Sequence, residues 1–302
     1  MIPVINITGL TKHYGHVQAL TDLTLQVEPG EIFGFLGPNG AGKSTTIRTL
    51  LGFLHATSGS ATVLGLDVRD ESVEIRRRCG YLPAGISFYD SMTGRDALRY
   101  LADLQGCPTP RREELCDRMQ LSAADLRRRV RDYSRGMRQK LGVIQALQHD
   151  PELAIMDEPT EGLDPLMQQA FYGILEDVRA AGRTVFFSSH VLPEVERVCN
   201  RVAIIRGGRL MALQTLEELL GRRKRKVTMR WRGTMPDVTQ VPGLADLEIH
   251  GDAAVATLLG DVGPFLRVVG VSSLIDLTIE PASLEEAFLD FYATPTDTES
   301  TR

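Results

Sequence analysis

A run of nine residues, GPNGAGKST at 37–45, constrains this chain more than any other stretch. It has the spacing G-x-x-x-x-G-K-[ST] and joins an apolar strand-like segment, EIFGFLG, to the helix-like segment KSTTIRTLLGFL. Glycines let the backbone curl so that several N–H groups point at one anion, and the start of a helix favours negative charge. Such a loop has to be fed by a strand and followed by a helix, which is the local grammar of an α/β domain. Lys43 places a charge on the β- and γ-phosphates of a nucleotide, and Ser44 offers its hydroxyl to Mg²⁺. Gly37, Pro38, Asn39, Gly40, Ala41, Gly42, Lys43, Ser44 and Thr45 are therefore the expected nucleotide-binding residues.

Two further apolar runs end in chemistry. In ELAIMDEPTEGLD the apolar residues 153–156 lead into Asp157 and Glu158. Adjacent carboxylates at a strand's end suit two jobs beside a phosphate loop: Asp157 can hold Mg²⁺ through water, and Glu158 can orient and polarise the attacking water. RTVFFSSH is another short strand, ending at His190. RVAIIRGGRLMA is expected to be a hairpin that turns at Gly207 and Gly208.

The stretch YSRGMRQK at 133–140 opens the amphipathic helix MRQKLGVIQALQ with a serine, an arginine and a glycine. That start presents bare N–H groups and positive charge to an anion outside the helix.

Composition narrows the partners. The chain has 302 residues, and its 39 Asp and Glu against 34 Lys and Arg give a net charge of −5, which argues against a general nucleic-acid binder. Cys79, Cys107, Cys116 and Cys199 form no zinc spacing, so a reduced cytosolic compartment is expected. No uncharged apolar run approaches the roughly 18 residues of a membrane span, so any work at a membrane requires another chain to cross it.

The pattern changes near residue 221, at the basic run RRKRK (222–226). That run is read first as a solvated linker, second as a contact for anionic lipid and last as a nucleic-acid site. Beyond it, KVTMRW alternates with Val227, Met229 and Trp231 on one face. DLEIH and AVATLL flank Gly251-Asp252, LIDLTIE alternates again, and SLEEAFLDFY opens with a capping box from Ser283 to Glu286. A small α+β domain over 222–292 follows, with residues 293–302 expected to be a disordered tail.

GPNGAGKST, YSRGMRQK, MDEPTEGLDP and FFSSH occur in the order and roughly the spacing of an ABC-transporter ATP-binding subunit, which residues 1 to about 220 resemble. The C-terminal SLEEAF stretch is similar to the drug- and lipid-exporter-like branch. The resemblance implies a P-loop NTPase domain of ABC type over 1–221, with a helical subdomain at about 85–150. It implies ATP and Mg²⁺ as ligands, and a head-to-tail dimer, with a homodimer favoured. It further implies a separately encoded integral membrane permease and a place at the cytoplasmic face of the cell membrane.

Residue by residue, Glu158 and His190 match the catalytic carboxylate and the switch histidine, and Tyr14 in KHYG matches the aromatic that stacks on adenine. Ser134 and Gly136 match the signature positions that touch the partner's γ-phosphate, while Tyr133, Arg135 and Met137 depart from LSGGQ. Asp164 matches a loop that couples the two sites. Ala84, after GYLP, stands where relatives have Gln or Glu, which leaves no side-chain oxygen there. Phe88 and Tyr89, in the region that receives the permease's coupling helix, fit core packing and an interface equally. A soluble ABC-type ATPase outside transport is the alternative; relatives of that kind carry two ABC units or a long coiled-coil insertion, and this chain has neither.

Overall fold

The computed structural model describes residues 2–220, 224–232, 238, 241, 243–270 and 274–281. The chain divides into two compact units, Met1–Gln214 and Thr215–Arg302.

The first unit holds two sheets. A six-stranded sheet is built from β3 (Ile32–Leu36), β6 (Cys79–Leu82), β7 (Leu153–Asp157), β8 (Thr184–Ser189), β9 (Arg201–Arg206) and β10 (Arg209–Thr215), in the order β10-β9-β3-β8-β7-β6. The pairs β9/β3, β3/β8, β8/β7 and β7/β6 are parallel. Strands covered on both faces read as continuous apolar runs, and all residues of β3, β7 and β8 are buried. The β9–β10 hairpin turns at Gly207 and Gly208, both at positive φ (52° and 76°), as the two-glycine turn predicts.

A second, four-stranded sheet has the order β2-β1-β4-β5, from β1 (Ile5–Tyr14), β2 (Val17–Val27), β4 (Ser58–Val63) and β5 (Leu66–Asp67). Its pairs are antiparallel, and the β1/β2 register slips between Ile7 and Leu10 and again toward His13. One core joins the sheets. Ile5, Ile7, Leu10, Leu23 and Leu25 from the antiparallel sheet meet Phe33, Phe35, Ile155, Phe186 and Ile205 from the parallel one. Ile47 and Leu50 of helix α1 (Lys43–Leu50) lie in the same cluster.

Helix α1 is shorter than KSTTIRTLLGFL predicts. Gly52 sits at φ 69°, its N–H donates to Thr49 O (3.0 Å), and Phe53 N–H donates to Arg48 O (2.8 Å). This paired closure around a left-handed glycine satisfies the last carbonyls and stops the helix. A Cβ on Gly52 would come within 2.2 Å of Ser72 Cβ, so only glycine fits.

Helix α2 (Ser72–Arg78) precedes β6, and a helical region follows it: α3 (Gly94–Gln105), α4 (Arg112–Arg118), α5 (Ala123–Arg127), a 3₁₀ turn at Val130–Asp132 and α6 (Arg135–Leu147). Thr93 caps α3 by accepting from Asp96 N–H, and a full capping box at Ser122 and Asp125 starts α5. Helices α7 (Pro165–Ala180) and α8 (Leu192–Val198) flank β8 in the chain.

The second unit opens with α9 (Leu216–Leu220) and holds β11 (Lys224–Trp231), β12 (Leu244–His250), β13 (Ala253–Leu259), α10 (Val262–Val269) and β14 (Leu274–Pro281). The sheet order is β12-β13-β11-β14, antiparallel throughout. Val227, Met229 and Trp231 are buried together with Ala254, Ala256, Leu258, Phe265 and Val269, as the alternation of KVTMRW predicts. The linker reading of the basic run is corrected in its second half. Lys224, Arg225 and Lys226 are strand residues, paired in register with Leu259, Leu258 and Thr257 of β13. Their long side chains had masked the strand pattern. Residues 222–223, the capping box at Ser283–Glu286, the helix it opens and the tail 293–302 lie outside the described residues.

Candidate active site

The register of the parallel sheet gathers the chemistry. Leu36, the last residue of β3, stands beside Ser189 of β8, and Ser188 stands beside Asp157 of β7. The loop at 37–42, Glu158 and His190 therefore leave the same edge of three adjacent strands, where open parallel sheets hold their ligands.

The phosphate loop is shaped by sterics. Gly40 and Gly42 have φ of 81° and 109°. A Cβ on Gly42 would lie 2.7 Å from Ala19 O, and one on Gly37 would lie 2.5 Å from Ile205 O. The loop is thus pressed against the β2 strand and the end of β9, which holds its backbone in the curled form.

Lys43 is buried (6% exposed) at the first turn of α1. Its Nζ donates to Gly37 O (2.6 Å) and Pro38 O (3.3 Å) and pairs with Glu158 Oε1 at 3.3 Å. A buried ammonium without such partners would be strongly destabilising. Ser44 Oγ donates to Asp157 Oδ2 (2.7 Å), and Ser188 Oγ donates to Asp157 Oδ1. Asp157 is buried, so its carboxylate is held in one orientation by a hydroxyl on each oxygen.

Glu158 is one of few non-glycine residues at positive φ (52°), a conformation that recurs where function demands it. Its N–H donates to Ser188 O (3.1 Å), which pins the kink to β8. The kink turns the carboxylate toward two partners, Lys43 on Oε1 and His190 Nδ1 on Oε2 at 2.7 Å. His190 is about half exposed, so its ring meets solvent on one side and Glu158 on the other. The sequence-predicted Lys43, Ser44, Asp157, Glu158 and His190 are thus brought into one connected network.

Other predicted residues stand elsewhere. Ser134 is the N-cap of α6 and accepts from Met137 N–H (3.2 Å). Gly136 is the second residue of α6, in its first turn, and a Cβ there would sit 3.0 Å from Gly162 O. Arg135 pairs with Glu161, and Gln139 Nε2 donates to Pro159 O (2.6 Å), so the start of α6 is tied to the loop that follows Glu158. Tyr133 is a buried anchor: its hydroxyl donates to Asp125 O (2.8 Å), and burial pushes its phenol up to about 12. Asp164 caps α7, accepting from Leu166 N–H (3.1 Å) and Met167 N–H (3.0 Å), with Pro165 at the first helical position. Tyr14, at the end of β1, is 46% exposed with Lys12 Nζ 5.2 Å above its ring. Ala84 is exposed just after β6, followed by Gly85 at φ 74°.

The profile of the ABC transporter domain matches residues 20–161. The chain is 38% identical to an uncharacterised ABC transporter ATP-binding protein of Nostoc sp., over 91% of this chain and 83% of that protein. It is 33% identical to the bacitracin transport ATP-binding protein BcrA of Bacillus licheniformis, over 96% of this chain and 97% of that protein. The chain belongs to the ABC transporter ATP-binding family. Among solved structures, an ATP binding subunit of an ABC transporter superposes with a TM-score of 0.67 at 31% identity, covering 72% of this chain and 91% of that one. The ABC ATPase fold expected from the sequence is therefore the fold found, and the chain is an ATP-binding subunit with ATPase activity. No helix among the described residues is long and apolar enough to cross a membrane.

Two residues of this ABC subunit's network escaped the sequence reading. Ser188 lies within FFSSH, where the sequence points only to His190, yet its hydroxyl orients Asp157. Glu194, on α8, is buried and accepts from Thr160 Oγ1 (2.7 Å) and Ser189 Oγ (2.9 Å). A signal was available for Ser188, because a small polar residue inside an otherwise apolar buried strand needs a partner. None was available for Glu194, whose helix is too short to show a face.

Proposed function

We propose that this chain is the motor subunit of an ABC exporter, working as a head-to-tail homodimer on a separately encoded membrane permease at the cytoplasmic face of the membrane. Residues 1–221 bind and hydrolyse ATP, and 222–292 form an accessory domain. The observation that carries the reading is the Lys43–Glu158–His190 network at the phosphate loop, together with a second anion-ready helix start, at Ser134, that makes no bond to that network.

In this reading the backbone N–H groups of 37–42 and Lys43 hold the β- and γ-phosphates, and Tyr14 stacks on the adenine. The donor set fits Mg²⁺: Ser44 Oγ at the start of α1 and Asp157 Oδ2 at the end of β7, which would act through water, are hard oxygens 2.7 Å apart beside a loop whose cradle a Cβ would fill. Mg²⁺, when bound, neutralises charge on the β- and γ-phosphate oxygens. Glu158 orients the attacking water and accepts its proton, and His190, hydrogen-bonded to Glu158, holds that carboxylate in place and faces the γ-phosphate. Ser134 and Gly136 of a second copy close the site across the dimer, with Asp164 organising the junction.

A cleft of about 630 Å³ supports a permease partner. Phe53, Tyr81, Ile86, Phe88, Tyr89 and Leu104 are among its walls, with Tyr89 61% exposed and edge-on to Tyr100. Exposed aromatics around an apolar cleft mark an interaction surface, which favours the interface reading for Phe88 and Tyr89. Homology to proteins named for export, such as the fluoroquinolones export ATP-binding protein of Mycobacterium tuberculosis, favours outward transport.

Glu158→Gln tests the reading. The amide keeps the shape but loses the charge that activates water, so ATP binding should persist, turnover should fall by at least about a hundredfold, and ATP should trap a dimer. Turnover within about twofold of the parent would remove Glu158 from this role.

A further inference from the structure

Glu194 has no part in the roles assigned so far, yet its carboxylate is buried and fully engaged. Thr160 Oγ1 donates to Oε1 at 2.7 Å, and Ser189 Oγ donates to Oε2 at 2.9 Å. Thr160 and Ser189 are themselves buried, at 5% and 0% exposed. The two hydroxyls belong to different segments, one in the loop after β7 and one at the end of β8. Thr160 lies two residues after Glu158, and Ser189 immediately precedes His190. Ser189 Oγ also accepts from Val191 N–H at 2.9 Å, so the chain on both sides of His190 is held through one hydroxyl. On the other loop, Gln139 Nε2 fixes Pro159 O and Glu158 N–H is bound to Ser188 O.

We infer that Glu194 is a positioning residue: a buried carboxylate that bridges the Glu158 loop to the His190 loop and sets the separation of those two side chains. The inference rests on the catalytic roles proposed for Glu158 and His190. A carboxylate is suited to the task because it only accepts, through two oxygens on opposite sides, and both loops present it a hydroxyl donor. Bonds of this kind, made to an ionised acceptor away from water, are short and directional. His190 is half exposed and, among the described residues, Glu158 is its side-chain partner, so its ring has few other restraints. If Glu194 releases either loop, His190 Nδ1 and Glu158 Oε2 lose the 2.7 Å contact first.

The test uses the full-length chain and ATP with Mg²⁺. Glu194→Ala should lower kcat by about tenfold or more while ATP affinity changes by less than about twofold, because the phosphate loop is untouched. Glu194→Gln, which can still bridge with one accepting oxygen and one donating amide, should recover most of that loss. Thr160→Val, which removes one arm at nearly constant shape, should give an intermediate loss.

A double-mutant cycle separates positioning from simple packing. In a His190→Ala background, Glu194→Ala should cost less than about twofold, since the residue it positions is gone. If His190→Ala leaves turnover too slow for the cycle, the His190 ring signals in isotope-labelled protein decide. They should be single in the parent and doubled or broadened in Thr160→Val and Glu194→Ala. A folded Glu194→Ala chain with unchanged kcat would overturn the inference, as would equal losses in both backgrounds or unchanged ring signals. Should Glu194→Ala not fold, unchanged kcat and ring signals in Thr160→Val would overturn it equally. Normal turnover in both Glu158→Gln and His190→Ala would instead overturn the underlying catalytic reading. Inactive Glu158→Gln and His190→Ala beside a normal Glu194→Ala would remove the bridge alone.

Discussion

Gly42 and Gly40 sit in the same loop at positive φ, but they differ in what surrounds them, and that difference predicts a measurable gap. At Gly40, with φ 81°, an added Cβ meets nothing within 4 Å. Gly40→Ala should therefore cost only the conformational strain of an L-residue in this region, about 1–2 kcal/mol. At Gly42, with φ 109°, the Cβ would lie 2.7 Å from Ala19 O and 2.8 Å from Leu20 Cδ2. Leu20 Cδ2 belongs to a flexible side chain, but Ala19 O is backbone of β2 and cannot yield without moving the strand. Overpacking of that kind adds about 1–3 kcal/mol. Gly42→Ala should then be destabilised by about 2–5 kcal/mol in all, a large part of the roughly 5–15 kcal/mol that holds a domain together. Urea unfolding of both variants, followed by far-UV circular dichroism, measures the gap as a difference in midpoint at constant slope. ATP binding should also be weaker in Gly42→Ala than in Gly40→Ala, because displacing the strand moves the N–H groups that face the phosphates. Equal midpoints would refute the claim that packing against β2, rather than glycine's flexibility alone, holds the loop in shape.

Two further outcomes follow from buried groups and from the division of the chain. Burial holds the His149 imidazole below its ordinary value, so the unfolded chain takes up a proton first on acidification; stability present above about pH 6.5 should decline as pH falls through the folded value. His149→Gln should flatten that part of the urea-midpoint profile, and an unchanged slope would assign it to other groups. A chain ending at residue 221 should remain folded and bind ATP, because the phosphate loop, Asp157, Glu158 and His190 all lie within Met1–Gln214; loss of all soluble protein would contradict this.

The site was legible where residue type and position coincide. GPNGAGKST, the two carboxylates closing ELAIMDE and the histidine closing FFSSH each sit at a strand's end, and parallel pairing turns those separate ends into one edge. The Gly207-Gly208 hairpin was legible because the required positive φ at two successive positions leaves little choice of residue. The antiparallel sheet of the first unit was not, since bulges in β1 between Ile7 and Leu10 break the alternation that would announce it. The early end of α1 at Gly52 depends on a close approach to Ser72, a contact no local pattern records. Glu194 shows the same limit at the site itself. Next to Pro193 and two residues before Glu196 it looks like a solvated helix start, and only the fold brings Thr160 and Ser189 to its two oxygens.

The shared site between two copies is the central claim, and mixing two inactive chains tests it most directly. Gly136→Asp puts a carboxylate at the start of α6, where it would face the partner's γ-phosphate, and Lys43→Ala disables the phosphate loop. Nucleotide binding to the Gly136→Asp chain alone serves as the control, because its Cβ also approaches Gly162 O at 3.0 Å. In an equimolar mixture, half the dimers pair the two variants, and each such dimer rebuilds one intact site from the loop of the first chain and the helix start of the second. About a quarter of all sites should then be whole, and ATP hydrolysis absent from either variant alone should return. Mixed dimers that form without any return of hydrolysis, or a Gly136→Asp chain that hydrolyses ATP at the parent rate, would contradict the account.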